Sequence, residues 1–285
     1  MSALRWTPSF RAVNVRVLVV HMMSWWSSWL DRLLPRSCAL CGLVLSPGAQ
    51  VGLCSACLQD LEGSRRPRCT RCALPGSIAT CACGSRFGGL IDRTIAAADY
   101  APALDRLITT VKFARQPAFA RTLGELIAAA WRGSEDRPVL DFLVPVPLSA
   151  ERLADRGFNQ ALLMARACAR LMPAPIPVMS DRLRRVRNNP AQSGLDRAAR
   201  LHNLDDAFSC PALPAGSRIG LVDDVMTTGS TVLSAARVLR KAGAAQITVL
   251  VAARAGPASP ATGSAVLAPK PPVTLGHAQR RAGSP

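Results

Sequence analysis

Between residues 90 and 254, short apolar runs alternate with segments whose apolar residues recur every three or four positions. Leu140 to Val146 is such a run, and Pro145 and Pro147 close it, so it predicts a strand entering a loop. From Arg156-Gly157-Phe158-Asn159-Gln160 onward, Phe158, Leu162, Ala165, Ala169 and Met172 fall on one face of a helix that Pro173 ends. Residues 180–206 are charged and aperiodic, which predicts a long loop with a short helical piece. Ile219 to Val222 has the composition of a buried strand. A helix follows from about Ser230 to Lys241, burying Val232, Ala235, Ala236 and Leu239, with Gly243 as its stop. Ile247 to Val251 is the next strand. Strand, helix and strand in so short a span predict a βαβ crossover and a parallel sheet.

The rest of the chain divides around this region. Residues 1–37 form a leader, 38–89 a turn-rich cysteine module, 90–254 the α/β domain, and 255–285 a Pro/Ala/Gly-rich tail expected to be disordered. In the leader, Arg11 and Arg16 precede the apolar Val17 to Val20, yet no small-residue cleavage site follows, and the segment is too polar for a membrane span. The favoured reading takes Met22 or Met23 as the start, with Trp25, Trp26 and Leu30 opening a short amphipathic helix that ends near Leu34. Hydrophobic residues make up 49% of the 285, enough for a buried core and too many for a disordered chain. The formal charge is +17, and every basic residue except Lys112, Lys241 and Lys270 is arginine. Beside so much alanine, that bias reflects genome composition in part. The excess of positive charge still favours polyanionic ligands, phosphates or nucleic acid.

The most informative stretch is Ile219-Gly220-Leu221-Val222-Asp223-Asp224-Val225-Met226-Thr227-Thr228-Gly229-Ser230-Thr231. Its second half sits between a strand and a helix N-terminus, where backbone N–H groups lack intrahelical partners and the helix dipole is positive. Gly229 allows the tight turn, and Thr227, Thr228, Ser230 and Thr231 add hydroxyl donors, so the loop suits a phosphate. Asp223 and Asp224 would repel that phosphate. They suit another part of the same ligand: sugar hydroxyls, as hydrogen-bond acceptors, or the waters of Mg²⁺. A sugar 5′-phosphate answers to both halves. Because consecutive strand residues face opposite ways, one acid is expected on the ribose and the other holding the loop, unless the strand has ended.

Eight of the ten cysteines lie between Cys38 and Cys83 in close pairs, which points to metal ligation in a reducing compartment, hence the cytoplasm. Cys38 and Cys41 with Cys54 and Cys57 make two C-x-x-C knuckles able to close a tetrahedral Zn²⁺ site. Cys69 and Cys72 with Cys81 and Cys83 make a second set whose last pair is C-x-C. That pair either ligates a second zinc in a tighter geometry or loses one cysteine from the set. All-cysteine sites leave no open position, so zinc here is expected to be structural. Cys168 and Cys210 have no partner in the pattern and are expected to be structural as well.

The apolar run, Asp-Asp, two-residue gap and Thr-Thr-Gly-Ser-Thr resemble the 5-phosphoribosyl-1-diphosphate (PRPP) motif of type I phosphoribosyltransferases. Further blocks are similar to the ComF family, bacterial phosphoribosyltransferase-like proteins linked with competence for DNA uptake. They are Val144 to Leu148, Arg156 to Gln160, Asn189 to Leu195, Arg197 through Arg200 to Asn203, Ala207-Phe208, and Asp105 to Phe113. The resemblance covers about residues 38–254. It implies an α/β fold of type I phosphoribosyltransferase kind, a Rossmann-like parallel sheet, with a small N-terminal zinc-ribbon module. It implies PRPP with Mg²⁺ as ligand, and it places the Pro145-Val146-Pro147 turn, with Arg152 and Arg156 nearby, at the pyrophosphate. A plain strand-end turn is the alternative. Asn159 and Gln160 either meet the ligand or cap a helix. Arg182, Arg184, Arg185 and Arg187 either close over pyrophosphate or form a solvated loop. Lys112 either reaches phosphate or is a surface lysine, the commoner case.

Two functions stay open on the sequence. One is Mg²⁺-dependent phosphoribosyl transfer to a nitrogen nucleophile with release of pyrophosphate, although no residue marks itself as a base for the acceptor. The other is a non-catalytic PRPP sensor that holds single-stranded DNA, with DNA-uptake proteins as partners. Arg65, Arg66, Arg68 and Arg71 give the second ribbon a basic surface for phosphates, with few aromatics for base stacking. A PRPP-sensing transcriptional regulator lacks support, since no helix-turn-helix is added. Stable membrane insertion is not expected, and the oligomeric state is not encoded in any pattern found.

Overall fold

The apolar runs form the strands of one parallel sheet. The computed structural model describes residues 36–46, 48–62, 67–76, 81–186 and 207–256. The expectations on residues 1–35, Arg65, Arg66, Arg187, Asn189 to Leu195, Arg197, Arg200, Asn203 and the tail from 257 fall outside them. Helices α1 (Ser55–Glu62) and α2 (Gly84–Phe87) follow the two cysteine segments. Then come β1 (Arg93–Asp99), α3 (Pro102–Phe113), α4 (Pro117–Arg132), β2 (Phe142–Pro145), α5 (Ala150–Arg156) and α6 (Gln160–Arg170). A two-stranded ribbon of β3 (Arg184–Arg185) and β4 (Phe208–Ser209) precedes β5 (Ser217–Met226), α7 (Ser230–Lys241) and β6 (Ala244–Arg254).

The main sheet has the order β1-β6-β5-β2, all parallel, with Leu221 of β5 opposite Val249 on one side and Val144 on the other. Both faces are apolar, as a parallel sheet covered by helices requires. Phe142, Val144, Ile219, Leu221, Ile247 and Val249 pack with Val232, Ala235, Ala236 and Leu239 of α7. Leu143, Val222, Leu250 and Ala252 pack with residues of α3, α4 and α6 on the other face. Gly124 lets α4 and α6 touch, since a Cβ there would lie 2.4 Å from the Met164 carbonyl oxygen.

Several boundaries differ from the sequence expectation. Arg156 ends the short helix α5, and Gly157 turns the chain at φ +81°; the next helix starts only at Gln160, so Phe158 is not on it. The buried face of α6 centres on Ala161, Met164, Ala165 and Cys168, rotated from the predicted stripe, and Leu162 is only half-buried. Backbone conformation at Gly157 overrode the periodicity there. The strand predicted over 140–146 is confined to Phe142–Pro145, whereas β5 runs four residues beyond Val222. Among the described residues of 180–206 there is no helix; Arg184 and Arg185 pair antiparallel with Ser209 and Phe208.

The cysteine segments share the cores of the α/β region. Cys38, Leu45, Val51, Leu53 and Leu61 join the α3–α4–α6 face, whereas Cys69, Cys72, Cys83 and Phe87 join the α7 face. The two knuckles therefore pack on opposite sides of the sheet. Glu125, 3% exposed in α4, fastens the first one. Its carboxylate accepts from Gly52 N at 2.7 Å, from Arg36 Nη2 at 3.0 Å and from Arg121 Nε at 3.0 Å. Substitution Glu125→Ala leaves these donors without their shared acceptor. It is expected to lower stability by about 2–3 kcal/mol, the range of hydrogen bonds to a buried charge. That corresponds to a fall in Tm of roughly 5–10 °C, and a change below about 1 kcal/mol in urea unfolding would show the clamp to be incidental.

Candidate functional site

The end of β5 lies where one neighbour leaves it. Pairing with β2 stops at Pro145 opposite Val222, and Val146 N makes a last bond to Val222 O at 2.9 Å. Pairing with β6 continues to Met226 opposite Arg254. Asp223 and Asp224 thus sit on a strand with one open edge, at its carboxyl end, where open α/β sheets form their crevices. Thr227 to Gly229 then turn into α7. Gly229 is its N-cap at φ +79° and has no side chain to bond the helix's first N–H groups; of these, Ser230 N donates to Thr228 Oγ1 at 3.4 Å. Thr228 Oγ1 lies 2.8 Å from Ser230 Oγ, so these two hydroxyls of the turn lie together.

The two acids have different surroundings. Asp224 is 6% exposed, and its Oδ2 accepts from Lys112 Nζ at 2.8 Å and from Gln160 Nε2 at 3.2 Å. Gln160 Oε1 in turn accepts from Arg156 Nη1 at 2.6 Å. Asp224 is therefore tied to α3, α6 and α5, and its side-chain partners are not in the phosphate-type loop. Asp223 is half-buried, with Oδ1 accepting from Asp224 N at 2.9 Å. Burial, and then the Asp224 carboxylate beside it, push Asp223 up to about 8, with Lys112 pulling the other way. Asn159 caps α6 by accepting from Ala161 N at 2.9 Å, and its Nδ2 donates to Val146 O at 3.1 Å. It both caps the helix and holds the Pro145-Val146-Pro147 turn.

A cavity of about 440 Å³ opens here. Asp223, Asp224, Val225 and Thr231 line one side, Val146, Pro147, Arg152 and Arg156 another, and Lys112, Phe113, Gln160 and Arg185 complete the wall. The structure thus gathers both acids, the turn and both arginines around one space. Thr231 of the loop faces it, while Thr227 and Thr228 border a second cavity of about 410 Å³ beside Cys72, Cys81 and Cys83. Lys112 is a site residue and no ordinary surface lysine, because α3 delivers it across the open edge of β5 to Asp224. Its signal was its position at the end of an apolar helical stripe. Gln160 and Arg185, both singled out in the sequence, line the same cavity, although the contact of Gln160 with Asp224 depends on segments distant in sequence.

The eight clustered cysteines form two tetrads, Cys38/Cys41/Cys54/Cys57 and Cys69/Cys72/Cys81/Cys83, each with its sulfur atoms within 4.8 Å of one another. Cys41 and Cys54 Sγ lie 3.7 Å apart, Cys69 and Cys83 3.5 Å, and Cys72 and Cys81 3.3 Å. Four sulfurs at about 2.3 Å around a tetrahedral Zn²⁺ are roughly 3.8 Å from each other. Both tetrads fit that ion after small adjustments, and both members of the C-x-C pair are present in the second. Burial opposes ionisation of Cys38, but backbone N–H groups of Cys41, Cys54 and Leu40 outweigh it and bring the thiol down to about 6. Cys69 falls to about 7 by the same balance, through backbone groups of Cys72 and Arg71. Such donors favour the thiolate that zinc requires at these two positions, whereas burial and the neighbouring thiols push Cys57 and Cys83 up. Cys168 is buried in the core of α6, and burial pushes its thiol up to about 12.

Among the described residues no helix is long and apolar enough to cross a membrane. Residues 158–266 match the phosphoribosyl transferase domain family and residues 29–85 the double zinc ribbon domain family. The chain is 33% identical over 221 residues to DNA utilization protein YhgH of Escherichia coli K12, covering 76% of this chain and 96% of that protein. It is 33% identical to competence protein F of Haemophilus influenzae, covering 73% and 92%. Competence protein ComFC of Bacillus subtilis is 42% identical over 105 residues, covering 36% and 40%. With a parallel-sheet phosphoribosyl transferase domain, a double zinc ribbon and relatives of this similarity over most of its length, the chain belongs to the ComF family of YhgH and competence protein F.

Proposed function

We propose that this protein binds PRPP with Mg²⁺ at the carboxyl end of β5 and serves in the handling of DNA taken up by the cell. The observation that carries the reading is the open edge of β5. One cavity there collects two adjacent carboxylates, a cation-lined turn and the start of a helix capped by glycine. The 5′-phosphate would lie on Thr227, Thr228, Gly229, Ser230 and Thr231, using helix N–H groups and hydroxyls. Asp223 and Asp224 would accept from the ribose hydroxyls, and with the ligand's own oxygens they suit the hard, oxygen-seeking Mg²⁺. Val146 and Pro147 with Arg152 and Arg156 would face the pyrophosphate, whose charge those guanidinium groups offset. Arg185 and Lys112 add to the same positive wall.

Transfer chemistry would displace pyrophosphate from the anomeric carbon by a nitrogen nucleophile, with Mg²⁺ and arginines stabilising the departing charge. Of the carboxylates lining the cavity, Asp224 is held by Lys112, Asp155 is exposed, and Asp223 is the one this reading assigns to the ribose and Mg²⁺. This supports binding and positioning more directly than activation of an acceptor. The names of the relatives, DNA utilization protein and competence protein, support the DNA-related reading. Zinc in both tetrads would be structural, since four thiolates leave no open coordination position.

Calorimetry of PRPP with Mg²⁺ is expected to give saturable binding that Asp223→Ala/Asp224→Ala weakens at least tenfold; a wild type that binds no PRPP sinks the proposal. Below about pH 8 Asp223 carries a proton, and Mg²⁺ or ribose hydroxyls require its carboxylate. Affinity should therefore rise with pH from 6 to 8.5, with proton release on binding, and Asp223→Asn should flatten that rise beyond the titration of PRPP itself. A flat wild-type profile contradicts the assignment. Appearance of pyrophosphate with one of the nucleobases would establish turnover; binding without release under every base would leave the sensor.

Metal analysis of the purified chain is expected to give a zinc-to-protein ratio near two, whereas a ratio near one would remove the C-x-C tetrad from the account. Single-stranded DNA should bind with an affinity that falls linearly on a log scale with salt, as phosphate contacts release counterions. Absence of affinity even at low salt would remove DNA as a direct ligand.

A further inference from the structure

We propose that the second zinc knuckle is a working part of the phosphate site. Arg254 joins its Cys72 to the loop, and Arg86 carries a guanidinium to the loop's hydroxyl rim, so that zinc in this tetrad sets the affinity for a 5′-phosphate. The inference rests on the PRPP reading above and adds a residue and a dependence to it.

Arg254, the last residue of β6, is 4% exposed. Its Nε donates to Cys72 O at 2.7 Å, and its Nη1 donates to Met226 O at 2.7 Å and to the carbonyls of Thr227 and Ala255. One side chain thus spans from the knuckle to the first residue of the loop. Among the described residues its hydrogen-bond partners are carbonyls and the Cys72 side chain, and no carboxylate pairs with it. A buried cation with dipoles alone is costly. Four thiolates around one Zn²⁺ leave two net negative charges, and Cys72 is one of those thiolates. A second guanidinium nitrogen, Arg71 Nε between Cys69 and Cys72, is buried without a hydrogen-bond partner. Both observations fit a negatively charged metal centre at this tetrad.

The other link is α2. This helix has four residues, and its N-cap is Cys83, the last cysteine of the tetrad. Arg86 N and Phe87 N both donate to Cys83 O, at 3.0 and 2.9 Å. The position of Arg86 is therefore set by the metal ligand itself. Arg86 Nη2 donates to Ser230 Oγ at 3.2 Å, and its guanidinium stands over the Phe87 ring at 5.9 Å. The Phe87 ring lies against the loop: a Cβ on Gly229 would be 2.7 Å from Phe87 Cζ. Arg86 therefore reaches one of the hydroxyls that the PRPP reading assigns to the 5′-phosphate, and it lines the cavity beside the cysteines and not the one assigned to pyrophosphate. A glycine at 229 meets two demands at once, the positive φ and the room for that ring.

The experiment is calorimetry of the full chain with three probes, PRPP with Mg²⁺, ribose 5-phosphate and inorganic pyrophosphate, alongside zinc analysis. Arg86→Ala is expected to keep both zinc ions and to bind PRPP and ribose 5-phosphate about tenfold more weakly, the scale of one charge-assisted hydrogen bond. Its pyrophosphate affinity should stay within twofold, and Arg86→Lys should recover part of the loss. Cys81→Ser should lose one zinc and show the same selective weakening. Should Cys81→Ser fail to fold, Arg254→Lys tests the link with the tetrad intact: selective loss of ribose 5-phosphate affinity is expected with zinc retained. Wild-type PRPP binding that Arg86→Ala leaves unchanged overturns this proposal and spares the PRPP reading. Equal weakening of all three probes shows a general structural defect and also overturns it. A wild type that binds no PRPP overturns both.

Discussion

Past Val222, β5 keeps its β6 neighbour and loses its β2 neighbour, and the site exists because of that asymmetry. A strand paired on both sides buries its backbone and leaves no room for a ligand. A strand unpaired on both sides has no fixed direction. Here β6 holds the backbone of Asp223 to Met226 in register while the turn at Pro145-Val146-Pro147 moves away. The gap is then filled by side chains from helices that cross the open edge. Lys112 arrives from α3, Arg156 from α5 and Gln160 from α6, and Asp224 is the group on which they converge. Asp223, with fewer partners, is left to face the cavity.

This arrangement concentrates like charges, and the fold manages them by giving the acids unequal surroundings. Adjacent carboxylates in a partly dehydrated pocket disfavour double ionisation. Lys112 stabilises the charge on Asp224, and burial beside that carboxylate raises the Asp223 carboxyl. The general excess of arginine over the chain is a poor guide to this balance. What decides it is which few cations the helices carry to the open edge.

The β5–α7 corner was legible in the sequence because its determinants are local: an apolar run, a glycine with positive φ, and a helix stripe of Val232, Ala235, Ala236 and Leu239, all buried as expected. The cysteine tetrads were legible for the same reason, since pairs at close spacing declare their chemistry. What was not legible depended on distant segments. The helix expected from Arg156 divided at Gly157, because a left-handed residue leaves no periodic trace. The acid expected to hold the loop is held by Lys112 and Gln160, which no spacing rule connects with residue 224. The placement of the two knuckles on opposite faces of the sheet was equally hidden, since the cysteine pattern names the ligands and not the surfaces around them.

The strand order has a consequence for how the protein is made. β1 is the first strand of the main sheet to leave the ribosome, and among the described residues its strand neighbour in that sheet is β6, the last. Until residue 254 has emerged, β1 is an unsatisfied edge, and the second knuckle lacks the guanidinium that fastens it to the loop. Pairings so distant in sequence form slowly and expose sticky surface meanwhile. Early closure of the cysteine tetrads would shield part of that surface during synthesis. Metal supply would then govern the yield of native protein on the ribosome before it governs anything the finished molecule does.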